Sequence, residues 1–388
     1  MTSPGPTSHA VNRVRLGILG LGAVAQAVHL PLLERLPDSF EIAAIADLSP
    51  TLTGGIGERY QVRPERRYDS LEALVADPAL DALLILTSGS HGPAILAGLE
   101  CGLAVFAEKP LAYTLAEADA IGRRLARDPT LRLQVGYMKL YDPSVVHALQ
   151  VAATEALGPP RAIEVTVLHP TSEVQLAHAR LLPPPTDVPA LVRTALTAST
   201  DALRVAALGA EGAGTLGRLY TEILLGSVVH ELALVRAFAG DPTAIDALDV
   251  FPADRWPPSL ELTGRLPNEG RVSIRWHFLP EYPAYREEVR VVYEAATTEL
   301  SFPSPYLLHQ PTGLRLTNGR DGRRQDRIWS STVEAFEEEL LAFHDLVVGG
   351  HPPASGVDAG RADIVTCQRA IAAHAASLGL TIGGEAAG

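Results

Sequence analysis

Val14-Arg15-Leu16-Gly17-Ile18-Leu19-Gly20-Leu21-Gly22-Ala23-Val24-Ala25 is a short apolar run that breaks into G-x-G-x-x-A and leads into an apolar helical stretch towards Leu36. The run predicts a buried strand and the glycines a tight turn. Gly20 permits the turn, Gly22 lets backbone approach a pyrophosphate, and Ala25 allows close packing of helix on sheet. Amide donors of the following helix, with Ala23 and Val24 in its first turn, then face the phosphates. The next strand, Glu41 to Ala46, ends at Asp47, twenty-five residues after Gly22. An acidic residue there accepts ribose hydroxyls and repels a 2′-phosphate. Leu48-Ser49-Pro50 adds no arginine, so NAD is expected rather than NADP.

Strand and helix patterns keep alternating. Ser70 to Ala76 reads as a helix, Asp81 to Leu86 as a buried strand, Pro93 to Cys101 as a helix and Leu103 to Ala107 as a strand. Such alternation predicts a doubly wound parallel sheet of the Rossmann kind, with ligands at the carboxyl ends of its strands. Thr87, His91 and Lys109 fall on that edge by topology. His91 reads equally as a polar residue at a helix start. Lys109, in Ala107-Glu108-Lys109-Pro110, is one of two lysines among thirty-two basic residues, the other being Lys139. A buried ammonium is a tunable donor where a guanidinium is not. Lys109 therefore reads either as a catalytic or substrate-orienting lysine or as part of a helix-start ion pair with Glu108.

Composition bounds the rest. The 388 residues suggest two domains, and 47% hydrophobic with 20% charged residues marks a folded globular chain. A formal charge of −13 argues against nucleic acid or an anionic membrane as partner. Cys101 and Cys367 offer neither a disulfide framework nor metal spacing, so no metal is expected and a reducing cytoplasm is. Residues 1–12 lack the pattern of a signal peptide and read as a disordered leader.

The succession GILGLGAVAQ, AIADLSP, LILTSGSHGPAILAGLECGLAVFAEKPLA and VGYMKLYDP resembles the glucose–fructose oxidoreductase / inositol dehydrogenase / MocA (Gfo/Idh/MocA) family over nearly the whole chain. The resemblance implies a dinucleotide-binding domain over 13–142. A substrate-binding and oligomerising α+β domain over 143–388 follows, with a largely antiparallel, open-faced sheet, and the last helix packs back on the first domain. It implies that Lys109 contacts substrate hydroxyls near the nicotinamide, and that Thr87, His91 and Glu108 lie along the nicotinamide half of the cofactor. Gly136 to Pro143 matches the family's G-F-x-R-R-F-D-P crossing, which places Met138 and Lys139 near substrate, while Leu140 replaces the second basic residue. His169, at the end of a strand over 161–168, and Tyr285, the better placed of Tyr282 and Tyr285, are further substrate-facing candidates. Each reads as readily as an ordinary strand-end or core residue.

On the helix from Leu219 to Phe238 the family pairs an aspartate with a histidine one turn later. His230 matches the histidine; Gly226 stands where the aspartate would be. Glu222 lies too far along an α-helix to replace it. His230 alone can still accept a proton. Residues 171–215 form an insertion, irregular around Pro183-Pro184-Pro185 and helical from Val188 to Ala207, readable as a lid or an oligomer contact. Strands are predicted over 272–278, 287–294 and 298–302, with 315–317 less definite, the charged run 319–327 as a solvated turn, and helices over 333–349 and 359–378. An exposed apolar face of the second sheet would favour a homodimer or homotetramer. The activity implied is an NAD-dependent dehydrogenase of a sugar, cyclitol or derivative. The alternatives are transient oxidation with the cofactor regenerated, and a non-catalytic sensor.

Overall fold

The computed structural model describes residues 13–320 and 322–387; the expected leader lies outside them. Six parallel strands form the first sheet: β1 Val14–Leu19, β2 Phe40–Ala46, β3 Arg67–Tyr68, β4 Ala82–Ile85, β5 Ala104–Glu108 and β6 Leu133–Gly136. Their order is β3-β2-β1-β4-β5-β6, so the chain reverses direction across the sheet between β1 and β4. Ligands of doubly wound sheets lie at that switch point, and the glycine turn after β1 sits there. Every residue of β4 and β5 is buried, which is why both read as unbroken apolar runs.

The second sheet has eight strands: β7 Ala162–His169, β8 Ala244–Phe251, β9 Ser259–Arg265, β10 Arg271–Phe278, β11 Arg286–Val292, β12 Ala296–Phe302, β13 Gly313–Arg320 and β14 Arg323–Trp329. Only β7 and β10 run parallel; the order is β14-β13-β12-β11-β7-β10-β9-β8. Three features depart from expectation. The charged run 319–327 is not a solvated turn but mostly strand β14, paired with β13. An edge strand wet on both sides needs no apolar alternation, and its charges guard the edge. The outer face of the sheet is not apolar either: Arg290 lies between Glu164 at 3.9 Å and Glu299 at 3.7 Å, and Arg275 reaches Glu261 at 3.1 Å. The apolar surface offered as the reason for oligomerisation is therefore absent from this face.

The third departure concerns the helix at residue 219. It is a π-helix over Leu219–Val228 before it becomes an α-helix over Val229–Ala239, ended by Gly240 at φ 83°. Wider turns alter which residues share a face, so counting from His230 at α-helical spacing misplaces Glu222. That carboxylate instead pairs with Arg204 and Arg218 near the surface.

The two halves interlock. The helix Val357–Ser377 returns to the first sheet, with Gly360 seated against Leu111 and Arg361 2.7 Å from Asp119. Helix Ala335–Gly349 also covers the first sheet: Phe336, Leu340, Phe343 and Leu346 share a core with Leu16, Ile18 and Phe106. Glu385 accepts the amides of Leu115 and Ala116 at 2.7 and 2.9 Å, completing the first turn of helix Leu115–Arg127, which Thr114 and Glu117 cap reciprocally. No helix among the described residues is long and apolar enough to cross a membrane.

Candidate active site

A cleft of about 410 Å3 opens between the halves, lined by Val24, Thr87, Glu108, Lys109, Gly226 and His230 among others. Side chains 121 positions apart in the chain, Lys109 and His230, thus share one cavity. Lys109 leaves the carboxyl end of β5, and its ammonium donates to the Gly226 carbonyl. An ammonium carries three donors, so two remain. Burial lowers its pKa against the opposing pull of Glu108 and Glu231.

Glu108, in the same cleft wall, pairs with a different partner. Its Oε1 lies 2.8 Å from Nε2 of the fully buried His29. Burial raises the Glu108 pKa, but the hydrogen bond and charge of His29, with Lys109 and His91, outweigh it and hold the carboxyl below its ordinary range. His29 closes a π-helical segment, Ala25–His29, in the helix after the glycine turn. Beside this pair, burial and the charge of Glu108 push buried Glu339 well above the usual carboxylate range. An acidic side chain on the apolar face of helix Ala335–Gly349 was the only sequence signal for it.

His230 is largely enclosed, and its Nδ1 is buried with no hydrogen-bond partner. Burial, then the charges of Lys109 and Lys139, put its pKa well below the ordinary value. The ring is consequently neutral near neutral pH. A Cβ at Gly226 would meet only the Thr221 carbonyl oxygen, at 3.3 Å, so space is open where the family's acidic residue would stand.

Lys139 is placed differently from the expectation. Its Nζ lies 2.9 Å from Glu231 Oε1 and 2.7 and 2.6 Å from the two oxygens of Glu287. All three donors are committed to carboxylates, so none remains for a substrate hydroxyl. Tyr285 donates to Glu287 at 2.6 Å. Burial, offset in part by Lys139, raises Glu231 to about 7. Lys139, Tyr285 and Glu287 line a second, small cavity of about 70 Å3, which meets the main cleft at Met138 and His230. Glu231 and Glu287 were not singled out in the sequence: one reads as a helix-surface residue, the other as half of an exposed pair.

His91 and His169 lie outside the walls of both cavities. The buried His91 ring bridges the Pro110 and Thr87 carbonyls at 2.7 and 2.8 Å, bracing the loop that presents Lys109. His169 packs 5.0 Å from Trp276 and 5.8 Å from Tyr285, ring centre to ring centre, with Gln175 at 3.3 Å from its Nε2.

The amino-terminal residues fit a dinucleotide. Gly20 has φ +91°, and a Cβ there would stand 2.8 Å from the Thr87 nitrogen. Gly22 is exposed with open space around it, leaving room for a pyrophosphate. Asp47 accepts the Leu21 amide at 2.8 Å and the Ser49 amide at 2.9 Å, which fixes its carboxylate at the end of β2.

A doubly wound sheet with a glycine turn at the switch point has the form of a dinucleotide-binding domain. Residues 14–137 match the family model described as "Oxidoreductase family, NAD-binding Rossmann fold". The chain is 32% identical over 155 residues to an inositol 2-dehydrogenase/D-chiro-inositol 3-dehydrogenase of Shouchella clausii, covering 38% of this chain and 42% of that one. It is 31% identical over 165 residues to an inositol 2-dehydrogenase of Paracoccus denitrificans, covering 40% and 46%. The chain thus spans less than half the length of these curated relatives. In fold it resembles the scyllo-inositol dehydrogenase of Lactobacillus casei solved with NAD(H) and scyllo-inositol, at a TM-score of 0.66, 16% identity and coverage of 96% and 99%. A UDP-N-acetylglucosamine 3-dehydrogenase of Acidithiobacillus ferrooxidans gives 0.68, 18%, 94% and 99%.

Proposed function

We propose that the protein is an NAD-dependent dehydrogenase acting on a secondary hydroxyl of a sugar, cyclitol or sugar derivative. The observation that carries this reading is the convergence of Lys109 and His230 on one cleft beside the glycine turn. A nicotinamide dinucleotide, which the turn Gly20–Val24 and Asp47 would hold, would supply the hydride acceptor for oxidation of the alcohol to a ketone. Neutral His230 accepts the hydroxyl proton. Lys109, steadied by the Gly226 carbonyl, turns its remaining donors to the substrate oxygen and stabilises the negative charge that develops there. The ion cluster at Lys139 forms a fixed wall beside them. The relatives named above for inositol support a cyclic polyol as substrate.

A panel of polyols and sugars offered with NAD or NADP, followed by reduced-nicotinamide absorbance, tests this. NADH should accumulate with at least one cyclic polyol. Lys109→Ala and His230→Ala should each lower kcat by about 10²–10⁴ while the protein still binds NAD. Binding of NAD without turnover of any polyol, or full activity in both variants, would refute the dehydrogenase reading. Substrate conversion without NADH build-up would point to transient oxidation instead.

A further inference from the structure

The first part of the insertion that follows β7 lies against the first domain, while its helix Ala190–Gly212 sets Arg204 on Thr221 and Glu222 at the edge of the Lys109–His230 cleft. The backbone at Leu182 donates to Gln26 Oε1 at 2.8 Å. The Leu182 side chain fills the hollow left by Gly55, where a Cβ would come within 2.8 Å of it. His178 Nε2 lies 2.9 Å from the Tyr306 carbonyl. Five residues beyond Leu182, the strap delivers Asp187 to the start of the helix Pro50–Arg59. Ser49 Oγ donates to one Asp187 oxygen at 2.6 Å, and the Thr51 amide to the other at 2.8 Å.

We propose that Asp187 is a second discriminator of the dinucleotide, occupying the place a 2′-phosphate would need and setting the protein for NAD against NADP. The inference rests on the reading above that a dinucleotide lies with its adenosine ribose at Asp47. Ser49 links the two acids: its amide holds Asp47 and its hydroxyl holds Asp187. A phosphate on the ribose 2′-oxygen projects from Asp47 towards this turn. The donors it would look for there are a side-chain hydroxyl and the amides at a helix start. Asp187 has taken both. No lysine or arginine stands between Asp47 and Glu58 to compensate. The hydrogen bonds from Ser49 and Thr51 hold the Asp187 carboxyl down to about 2, so it stays an anion at working pH. A phosphate would have to displace one carboxylate while lying against another. Asp47 comes from the first domain and Asp187 from the second, so this selectivity spans both.

The test is titration of the ligand-free protein with NAD and with NADP by calorimetry, with no turnover required. Wild type should bind NAD and bind NADP weakly. Asp187→Ala should tighten NADP by about tenfold or more, since relieving like-charge opposition is a large effect even when partly screened by solvent. Its NAD affinity should stay within about threefold of wild type, because only the phosphate meets Asp187. Asp187→Asn keeps an oxygen for the Thr51 amide and removes only the charge, so it should show a smaller gain with the strap intact. Unchanged NADP affinity in both folded variants, or equal weakening of NAD and NADP, would overturn the proposal and leave Asp187 a helix cap. If wild type binds neither dinucleotide, the underlying reading fails instead, a result distinct from either.

Discussion

Lys139→Met separates a structural ammonium from a substrate-binding one. The methionine side chain nearly matches lysine in length, so the packing against Phe302, whose ring centre lies 5.4 Å from Nζ, is largely kept. What is lost is, among the described residues, the only cation within hydrogen-bond reach of Glu231 and Glu287, at 2.6–2.9 Å. Removing one partner from a buried ion cluster costs about 3–5 kcal/mol, because charge is left uncompensated away from water. The cost depends on pH. Glu231 is already up at about 7, and without Lys139 its pKa rises further above the unfolded value. A group raised on folding binds more protons folded than unfolded, so the variant recovers stability relative to wild type as pH falls from its own higher Glu231 pKa towards about 7, below which Glu231 is protonated in both. Urea denaturation followed by tryptophan fluorescence should show the full loss at the alkaline end and a smaller one at the acid end. Glu231→Gln in the same chain should restore part of it. A variant as stable as wild type at both ends, but with a raised KM for its polyol, would refute the argument and make Lys139 a substrate ligand.

Gly226→Asp places a carboxylate four residues before His230, against only the Thr221 carbonyl, and should raise the depressed His230 pKa. Because the ring works as a neutral base, the acid limb of the kcat profile should move up by about 1–2 pH units; an unmoved limb would exclude His230 as the titrating base. Gly20→Ala drives a Cβ to 2.8 Å from the Thr87 nitrogen at a φ of +91° and should cost about 1–3 kcal/mol with weakened NAD binding, read by thermal melting and titration. Glu385→Ala strips two amides of their acceptor and should cost about 1 kcal/mol, with faster hydrogen exchange at Leu115 and Ala116.

How much of this was legible from residues alone depends on how local each signal is. The glycine turn, Asp47 at the end of β2 and the Glu108-Lys109-Pro110 step are each written within a few neighbouring residues, and a parallel sheet follows from alternation. Tertiary pairings leave no such trace. Glu287 alternates with exposed neighbours along β11, and nothing nearby says that its side of the strand faces Lys139, 148 residues earlier. His29 reads as a polar residue late in an apolar helix until the π-helical segment turns it onto Glu108. Strand β14 escapes because a wet edge strand carries no period-two apolar pattern. Asp187 lies in a proline-rich stretch whose irregularity is predictable and whose destination is not.

Glu108 ends β5 and Lys109 follows it, and the two side chains take different partners. Each is met by a helix departing from α geometry. Glu108 meets His29, the last residue of the segment Ala25–His29, and Lys109 meets Gly226 within Leu219–Val228. π-Helical turns are uncommon and concentrate at functional sites. One of these helices follows the glycine turn; the other carries His230. The step from Glu108 to Lys109 therefore joins the helix after the glycine turn to the helix bearing the proposed base. Glycine suits position 226 on the same grounds: the Lys109 ammonium meets a backbone carbonyl there, and without a side chain the cleft beside His230 stays open for the substrate.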